Sequence, residues 1–362
     1  MKSSFVPLTA AYEKWLGKEL TIVPEDLELK HREMAADVFR FLRATFYAWS
    51  KLYPRVCPSA ASAPALLAVG DLHVENFGTW RDAEGRLVWG INDFDEVSRM
   101  PYTIDLVRLA ASAHIAIDTQ RLQIAHRDAC LAILSGYREG LEAGGRPWVI
   151  AGHHPWLRDM VNPGLRDPIA WWGKLTSLKP VDDVPKSARR AIEKLMPARG
   201  LKYELVHRVA GLGSLGRQRF VGVAEYEGGL VSREAKALAP SAWDWANGKT
   251  TQAIHYQQAL DESIRDVDPF VRLKGRWIVR RLAPDCTRIE MSMFPKERDE
   301  MRLLHAMGWE IANVHLGTGN ALELLRDLKK RGRAWLHREA AKMVAATKAD
   351  WETWRQAQKA AR

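Results

Sequence analysis

Residues 70–78 read GDLHVENFG, a stretch that sets Asp71, His73, Glu75 and Asn76 between two glycines in an otherwise apolar neighbourhood. Just before it, ALLAV (65–69) predicts a short buried strand that ends in the Gly70-Asp71 turn. RLVWGI (86–91) predicts a second strand, ending at Asn92-Asp93. Two acidic turns therefore leave strand ends. Asp and Asn cap simple turns by accepting backbone N–H groups, but capping alone does not explain a second acidic cluster, INDFDEV (91–97), with Asp93, Asp95 and Glu96.

Outward from this centre the chain is mostly helical. Met34, Val38, Phe39, Leu42, Phe46 and Trp49 recur at three-to-four spacing and predict one amphipathic helix over 24–52. The same period predicts helices from 102 to about 117 and from 123 to 141. After Gly200 the texture changes: YELVHRVA, RQRFVGVAEY, LVSRE and RWIVRRL read as strands separated by glycines, with a helical stretch at 250–265. Helical period returns beyond Glu297 and breaks near Gly317 to Gly319. The expected fold class is α+β: a helical lobe (1–199) with the acidic turns, a small β-rich lobe (200–290), and C-terminal helices (291–362) completing an all-helical lobe.

The bulk numbers are those of an ordered globular chain: 362 residues, 47% hydrophobic and 27% charged. The net charge of +10 suggests an anionic partner without choosing among nucleotide, nucleic acid and membrane. Residues 326–362 hold eleven Lys or Arg against four acidic residues, which a solvated helical face with Trp335, Trp351 and Trp354 turned inward explains. Cys57, Cys130 and Cys286 lie far apart with no CxxC pair, so their spacing encodes neither a disulfide framework nor a zinc site, and they read as small buried residues. No run of 18 uncharged apolar residues and no leader-like N-terminus occurs, so the expected location is cytoplasmic, away from the membrane.

Phosphoryl transfer from ATP needs a carboxylate near the acceptor hydroxyl, oxygen ligands for Mg²⁺ and donors around the phosphates. Asp71 and Asn76 are spaced like the catalytic Asp and metal-binding Asn of H-R-D-x-x-x-x-N. Asp93 and Asp95 end the next strand, where Mg²⁺ favours carboxylate oxygens. VAGLGSLGRQRF supplies G-x-G-x-x-G at Gly211, Gly213 and Gly216, with Ser214 inside it. A Rossmann fingerprint would run from strand into helix. Here the pattern continues as strand, which suits a hairpin that covers phosphates. The next strand offers Arg233 and Lys236 as phosphate cations.

Together these residues resemble the protein-kinase-like superfamily, especially its aminoglycoside and choline kinase branch, in which G-D-x-H-x-x-N is followed by an I-D-containing strand and a D-L helix, here Asp105-Leu106. The glycine loop follows the catalytic loop, as a circular permutation of the small lobe would produce. That order, with GDLHVENFG, INDFDE, VAGLGSLG and VSREAK, resembles the bacterial family called domain of unknown function 2252 from about residue 30 to 355. The resemblance implies a two-lobed phosphotransferase using ATP and Mg²⁺ on an unidentified hydroxyl acceptor, small molecule or protein. In that reading Asp71 and His73 serve the reaction, Asn76, Asp93 and Asp95 hold the metal, and Gly211, Gly213, Ser214, Gly216, Arg233 and Lys236 hold the nucleotide. One departure is Arg233, where the family pattern leads one to expect lysine; either it substitutes directly or Lys236 reaches in.

Other residues carry plainer expectations. His73 orients the loop, Glu75 is solvated, Asp105 caps its helix and tethers the catalytic loop, and His315 is a core or capping residue. Arg280 and Arg281 sit at successive strand positions, so at most one faces the cleft without a bend. The tandem His153-His154 is assigned no metal. The alternatives are a nucleotide-binding pseudokinase, a nucleic-acid binder using the basic C-terminal helix, and a metallophosphoesterase, whose further histidines and Gly-Asn-His are missing.

Overall fold

The computed structural model describes residues 5–161, 167–286, 290–291 and 299–360. Helix α1 (Phe5–Glu19) comes first. The single helix expected over 24–52 is instead three: α2 (Pro24–Ala36), α3 (Val38–Ala44) and α4 (Phe46–Val56). Asp37 is extended, at φ −150° and ψ 136°, and its carboxylate accepts the amides of Phe39 and Arg40, so it ends one helix and caps the next. Thr45, at φ −126°, makes the second break. The apolar face runs on across both breaks, with Val38, Phe39, Leu42, Phe46 and Trp49 all buried, which is why periodicity alone joins the three.

After α5 (Pro58–Ala61) come β1 (Ala65–Ala68), β2 (Phe77–Arg81), β3 (Leu87–Ile91) and β4 (Ser98–Pro101). Strand β1 pairs antiparallel with β4, Leu66 opposite Met100. Strand β3 lies between β2 and β5 (Trp148–Val149). The expected strands are present, but β2, β4 and β5 are additional, so the lobe predicted to be all-helical carries two small sheets. Helices α6 (Thr103–Asp118) and α7 (His126–Glu142) match the predicted ones, and α8 (Pro155–Val161), α9 (Pro168–Thr176) and α10 (Lys186–Glu193) lead to the second part of the chain.

There a five-stranded antiparallel sheet has the order β6-β7-β8-β10-β9, formed by Glu204–His207, Arg219–Tyr226, Gly229–Ala237, Trp277–Arg281 and Arg272–Lys274 respectively. Helices α11 (Ala242–Ala246) and α12 (Tyr256–Glu262) fall between β8 and β9. One face of the sheet, carrying Phe220, Ala235, Ala237, Trp277 and Val279, buries itself against Ala188, Ala191 and Ile192 of α10. The packed unit therefore takes in a helix that precedes residue 200. Helices α13 (Glu300–His315), α14 (Ala321–Lys330) and α15 (Trp335–Ala360) return to the helical body. Of the three tryptophans expected to face inward, Trp335 and Trp354 are buried there and Trp351 is half-buried against the same core. The fold is a mixed α+β one with several antiparallel sheets.

Candidate functional site

The turn after β1 is built around Gly70, whose φ of +81° is strained for any residue with a side chain, and where a Cβ would lie 2.8 Å from both Phe46 and Met100. Asp105, fully buried in the first turn of α6, accepts the amides of Val69 at 2.7 Å and Gly70 at 2.8 Å. Its carboxylate also bonds His315 Nε2 at 3.0 Å, while His315 Nδ1 meets Tyr137 Oη at 2.9 Å. Asp105 thus tethers the loop but does not cap its own helix, whose N-cap is Tyr102. His73 Nδ1 accepts the amide of Glu75 at 3.2 Å, which orients the loop. Glu75, expected in solvent, is buried and pairs with Arg43 at 2.6 Å; removing its carboxylate from water is compensated by that guanidinium.

The two acidic turns meet through Asn76. Its Nδ2 donates to the carbonyl oxygens of Asp71 at 3.1 Å and Asp93 at 3.2 Å, and the Asn92 amide donates to the Asn76 carbonyl at 2.9 Å. The side-chain nitrogen is thereby committed to the scaffold, and Oδ1 is the atom left for a cation. Asp71 is held by Arg108, whose Nε donates to Oδ1 at 3.0 Å and whose Nη2 bonds the same oxygen. Arg108 is completely buried, with its charge 4.8 Å from the Trp49 ring centre and a further bond to the Leu42 carbonyl at 2.7 Å. Burial raises the Asp71 carboxyl above its ordinary value despite this partner.

Over this floor lies the glycine hairpin. Gly211 and Gly216 have φ of +75° and +90°, and Gly213 approaches so closely that a Cβ would lie 3.2 Å from Asp71 Oδ2. The loop is clasped from outside: Lys30 Nζ donates to the Gly213 carbonyl at 2.9 Å and the Val23 amide to the Gly216 carbonyl at 2.8 Å. Burial and the nearby Arg217 push the Lys30 ammonium down to about 8. Ser214 accepts from Arg219 at 2.7 Å and donates to the Gly211 carbonyl at 3.2 Å, so its hydroxyl serves the loop itself.

Strand β8 sends the two expected cations to opposite faces of its sheet. Arg233 pairs across the sheet with Arg281 and Gly222, and its guanidinium donates to the Leu195 carbonyl at 2.8 Å with the Phe270 ring centre 4.3 Å away. It lies on the α10 side, away from the acidic turns, because three residues along a strand reverse the face. Lys236 is on the other face and reaches Asp95 at 2.6 Å and Asp93 at 3.3 Å. Glu234 shares that face and, fully buried, gathers Arg208 at 2.6 Å with Arg219 and Arg280 at 2.9 Å. Arg280 thus belongs to the cleft face; Arg281, paired with Arg233, projects from the other face and lines the cleft only from the strand end, beside Asp268 at 3.4 Å.

Asp93 and Asp95 differ in their surroundings. The low-dielectric walls of the cleft would raise Asp93, but Lys236 and hydrogen bonds from Asp95 outweigh them and hold the carboxyl well below its ordinary value. Its side chain is 42% exposed, open to a ligand. Asp95 is 10% exposed, sits beside Lys236 and within 3.8 Å of Arg217, and is raised by burial and by the charge of Asp93. Glu96 joins the wall, bonding Arg217 at 2.9 Å and the Ala242 amide at 2.6 Å. Asp71, Asn76, Asp93, Gly213 and Ser214 all line one cleft.

Residues 22–153 match the model of a family described as an uncharacterized protein conserved in bacteria, domain of unknown function 2252. That span contains both acidic turns and α6, and it stops short of the glycine hairpin. No curated protein and no solved structure matches the chain. Several parts of the site were not singled out from sequence, among them Lys30, Arg108, Arg217 and the Arg208–Arg219–Glu234 cluster. Arg108 carries a signal, since a charged residue inside the apolar run IDLVRLAASA reads as buried and paired. Lys30 sits among LELKHRE and looks like any solvated helical lysine.

Proposed function

We propose that the chain transfers a phosphoryl group from Mg-ATP to a hydroxyl acceptor. The observation that carries this is the convergence on one cleft of Gly213 against Asp71 and of Lys236 on the Asp93/Asp95 turn. In protein kinases a glycine-rich loop covers the phosphates, the lysine stands on the third strand of the small lobe, and an Asp and an Asn hold the metal. Strand β8 is the third of its sheet here in chain order, and Lys236 rather than Arg233 takes the cation's place. The permuted order of the kinase-like lobes belongs to the same proposal.

Asp93 and Asn76 Oδ1 would hold Mg²⁺: both are hard oxygen donors, one kept ionised and accessible, the other fixed by the bonds its amide nitrogen makes. The ion would neutralise charge on the ATP phosphates. The chain's own groups do the rest. Lys236 exchanges its carboxylate partners for phosphate oxygens, the hairpin amides cover the phosphates, and Asp71 orients the acceptor hydroxyl. As the acceptor oxygen bonds to the γ-phosphorus and the bond to the ADP oxygen breaks, the hydroxyl proton passes to Asp71. Arg108 holds that carboxylate in place.

A two-metal phosphoesterase fits less well, because His73 is the one imidazole lining the cleft among the described residues and its Nδ1 already accepts the Glu75 amide. Calorimetric titration with ATP, with and without Mg²⁺, tests the proposal. Binding that requires Mg²⁺, that Asp93→Ala abolishes and that accompanies ATP turnover supports it. Binding without turnover leaves a nucleotide sensor. No binding, or binding unchanged by Asp93→Ala, rejects a nucleotide site.

A further inference from the structure

A second cluster of donor side chains stands apart from the cleft. His114 on α6, Cys130 on α7 and His337 on α15 bring a ring nitrogen, Sγ and a ring nitrogen within 4.8 Å of one another. His114 Nε2 is 3.3 Å from Cys130 Sγ, and the His114 and His337 ring centres are 5.2 Å apart. With bonds of roughly 2.3 Å to sulfur and 2.0 Å to nitrogen, a tetrahedral zinc ion has a sulfur-to-nitrogen edge of about 3.5 Å. The His114–Cys130 pair already stands near that separation, and an approach of about 1 Å brings in the third ligand.

The chemistry of the set is specific. A thiol with two imidazoles is a borderline-soft donor set, the kind that takes Zn²⁺ in preference to Mg²⁺ or Ca²⁺. His114 and Cys130 are buried, and His337 Nδ1 is a buried nitrogen with no hydrogen-bond partner among the described residues. A buried nitrogen without a partner calls for one, and a bound ion would supply it. The His126 ring stands 4.6 Å from that of His114 and bonds Asp118 at 2.9 Å.

We propose that His114, Cys130 and His337 form a zinc site that staples α6, α7 and α15, with water in the fourth position. Binding forms one Zn–S and two Zn–N bonds and breaks the S–H bond, releasing one proton to solvent. No CxxC spacing announces such a site, because its ligands come from three helices. Its place matters to the cleft: α6 also carries Asp105 and Arg108, the latter six residues or about 9 Å along the axis from His114. Zinc would therefore brace the helix that holds the catalytic turn.

The test uses the full chain, freed of metal by a chelator and titrated with Co²⁺ and then Zn²⁺. Co²⁺ should bind at one equivalent and give a thiolate-to-metal charge-transfer band in the near ultraviolet, which one equivalent of Zn²⁺ abolishes with release of one proton. Cys130→Ser should remove the band and weaken Zn²⁺ at least about 100-fold, beyond the loss typical of an outer-shell partner, while Cys57→Ser and Cys286→Ser keep both. The wild-type spectrum needs no variant to fold. Absence of the band, a stoichiometry far from one, or a band that survives Cys130→Ser overturns the site. None of these readouts depends on ATP, so the outcome is independent of the proposed activity.

Discussion

Gly213 stands against Asp71: a Cβ on it would lie 3.2 Å from Asp71 Oδ2 and 3.0 Å from the Arg43 carbonyl. The neighbour that must yield includes backbone at the end of α3, which gives little. Gly213→Ala should therefore lift the hairpin off the cleft floor and lower ATP turnover by about 10- to 100-fold, the range expected when a positioned group is misplaced by about an ångström. Gly229→Ala meets no atom within 4 Å and serves as the control. Equal turnover in the two variants would show that the hairpin does not position the reaction.

The opposite faces taken by Arg233 and Lys236 give a sharper contrast. Lys236→Ala removes the cation between Asp93 and Asp95 and should weaken Mg-ATP binding by at least about 10-fold, the loss of one charge-assisted contact of roughly 1.5–3 kcal/mol. Arg233→Ala should leave ATP affinity within about threefold, because its guanidinium is spent on Leu195 and Phe270. Calorimetry on both variants decides it, and a larger loss in Arg233→Ala would reverse the assignment.

Glu234 supplies a prediction in pH. Burial alone would raise its carboxyl, but Arg219, Arg280 and Arg208 hold it well below the ordinary glutamate value. A carboxyl lowered by folding contributes stability above its unfolded value, about 4.3, and loses it as pH falls toward the folded value. Glu234→Gln leaves three guanidiniums without their shared counter-charge and should cost about 3–5 kcal/mol at neutral pH. The gap between wild type and variant should then narrow as pH drops below about 4. Thermal melts from pH 3 to pH 7 measure it; a gap that widens in acid would contradict the ion-pair origin.

What was legible in the sequence is local. Strand ends at Gly70-Asp71 and Asn92-Asp93, the hairpin glycines and helices α6 and α7 all follow from turn chemistry and periodicity acting over a few residues. The breaks at Asp37 and Thr45 were hidden because the buried face is continuous through them. Strand β2 was hidden because a short segment buried on both sides does not alternate, and β4 because four residues are too few to show a period. The burial of Glu75, the Lys30 clasp and the pairing of Lys236, rather than Arg233, with the Asp93/Asp95 turn depend on partners far along the chain, and no local pattern reports these. Arg108 is the intermediate case, visible as a charge in an apolar helix but with its partner, Asp71, unmarked.

The last prediction concerns that pair. If Asp71 accepts the acceptor's proton, it must be ionised to work, and burial raises its carboxyl despite Arg108. Turnover should then rise with pH through a limb placed above the ordinary aspartate value of about 3.9. Asp71→Asn preserves an oxygen that accepts from Arg108, so the variant should fold and bind Mg-ATP within about threefold of wild type, since its task lies with the acceptor. Its rate should fall by roughly 10² to 10⁴, the usual size of a positioned base's contribution, and the acid limb should disappear. ATP hydrolysis measured from pH 4 to pH 8 can serve as the assay. A variant that retains both its rate and the limb would assign Asp71 to holding Arg108 and move the proton acceptor elsewhere in the cleft.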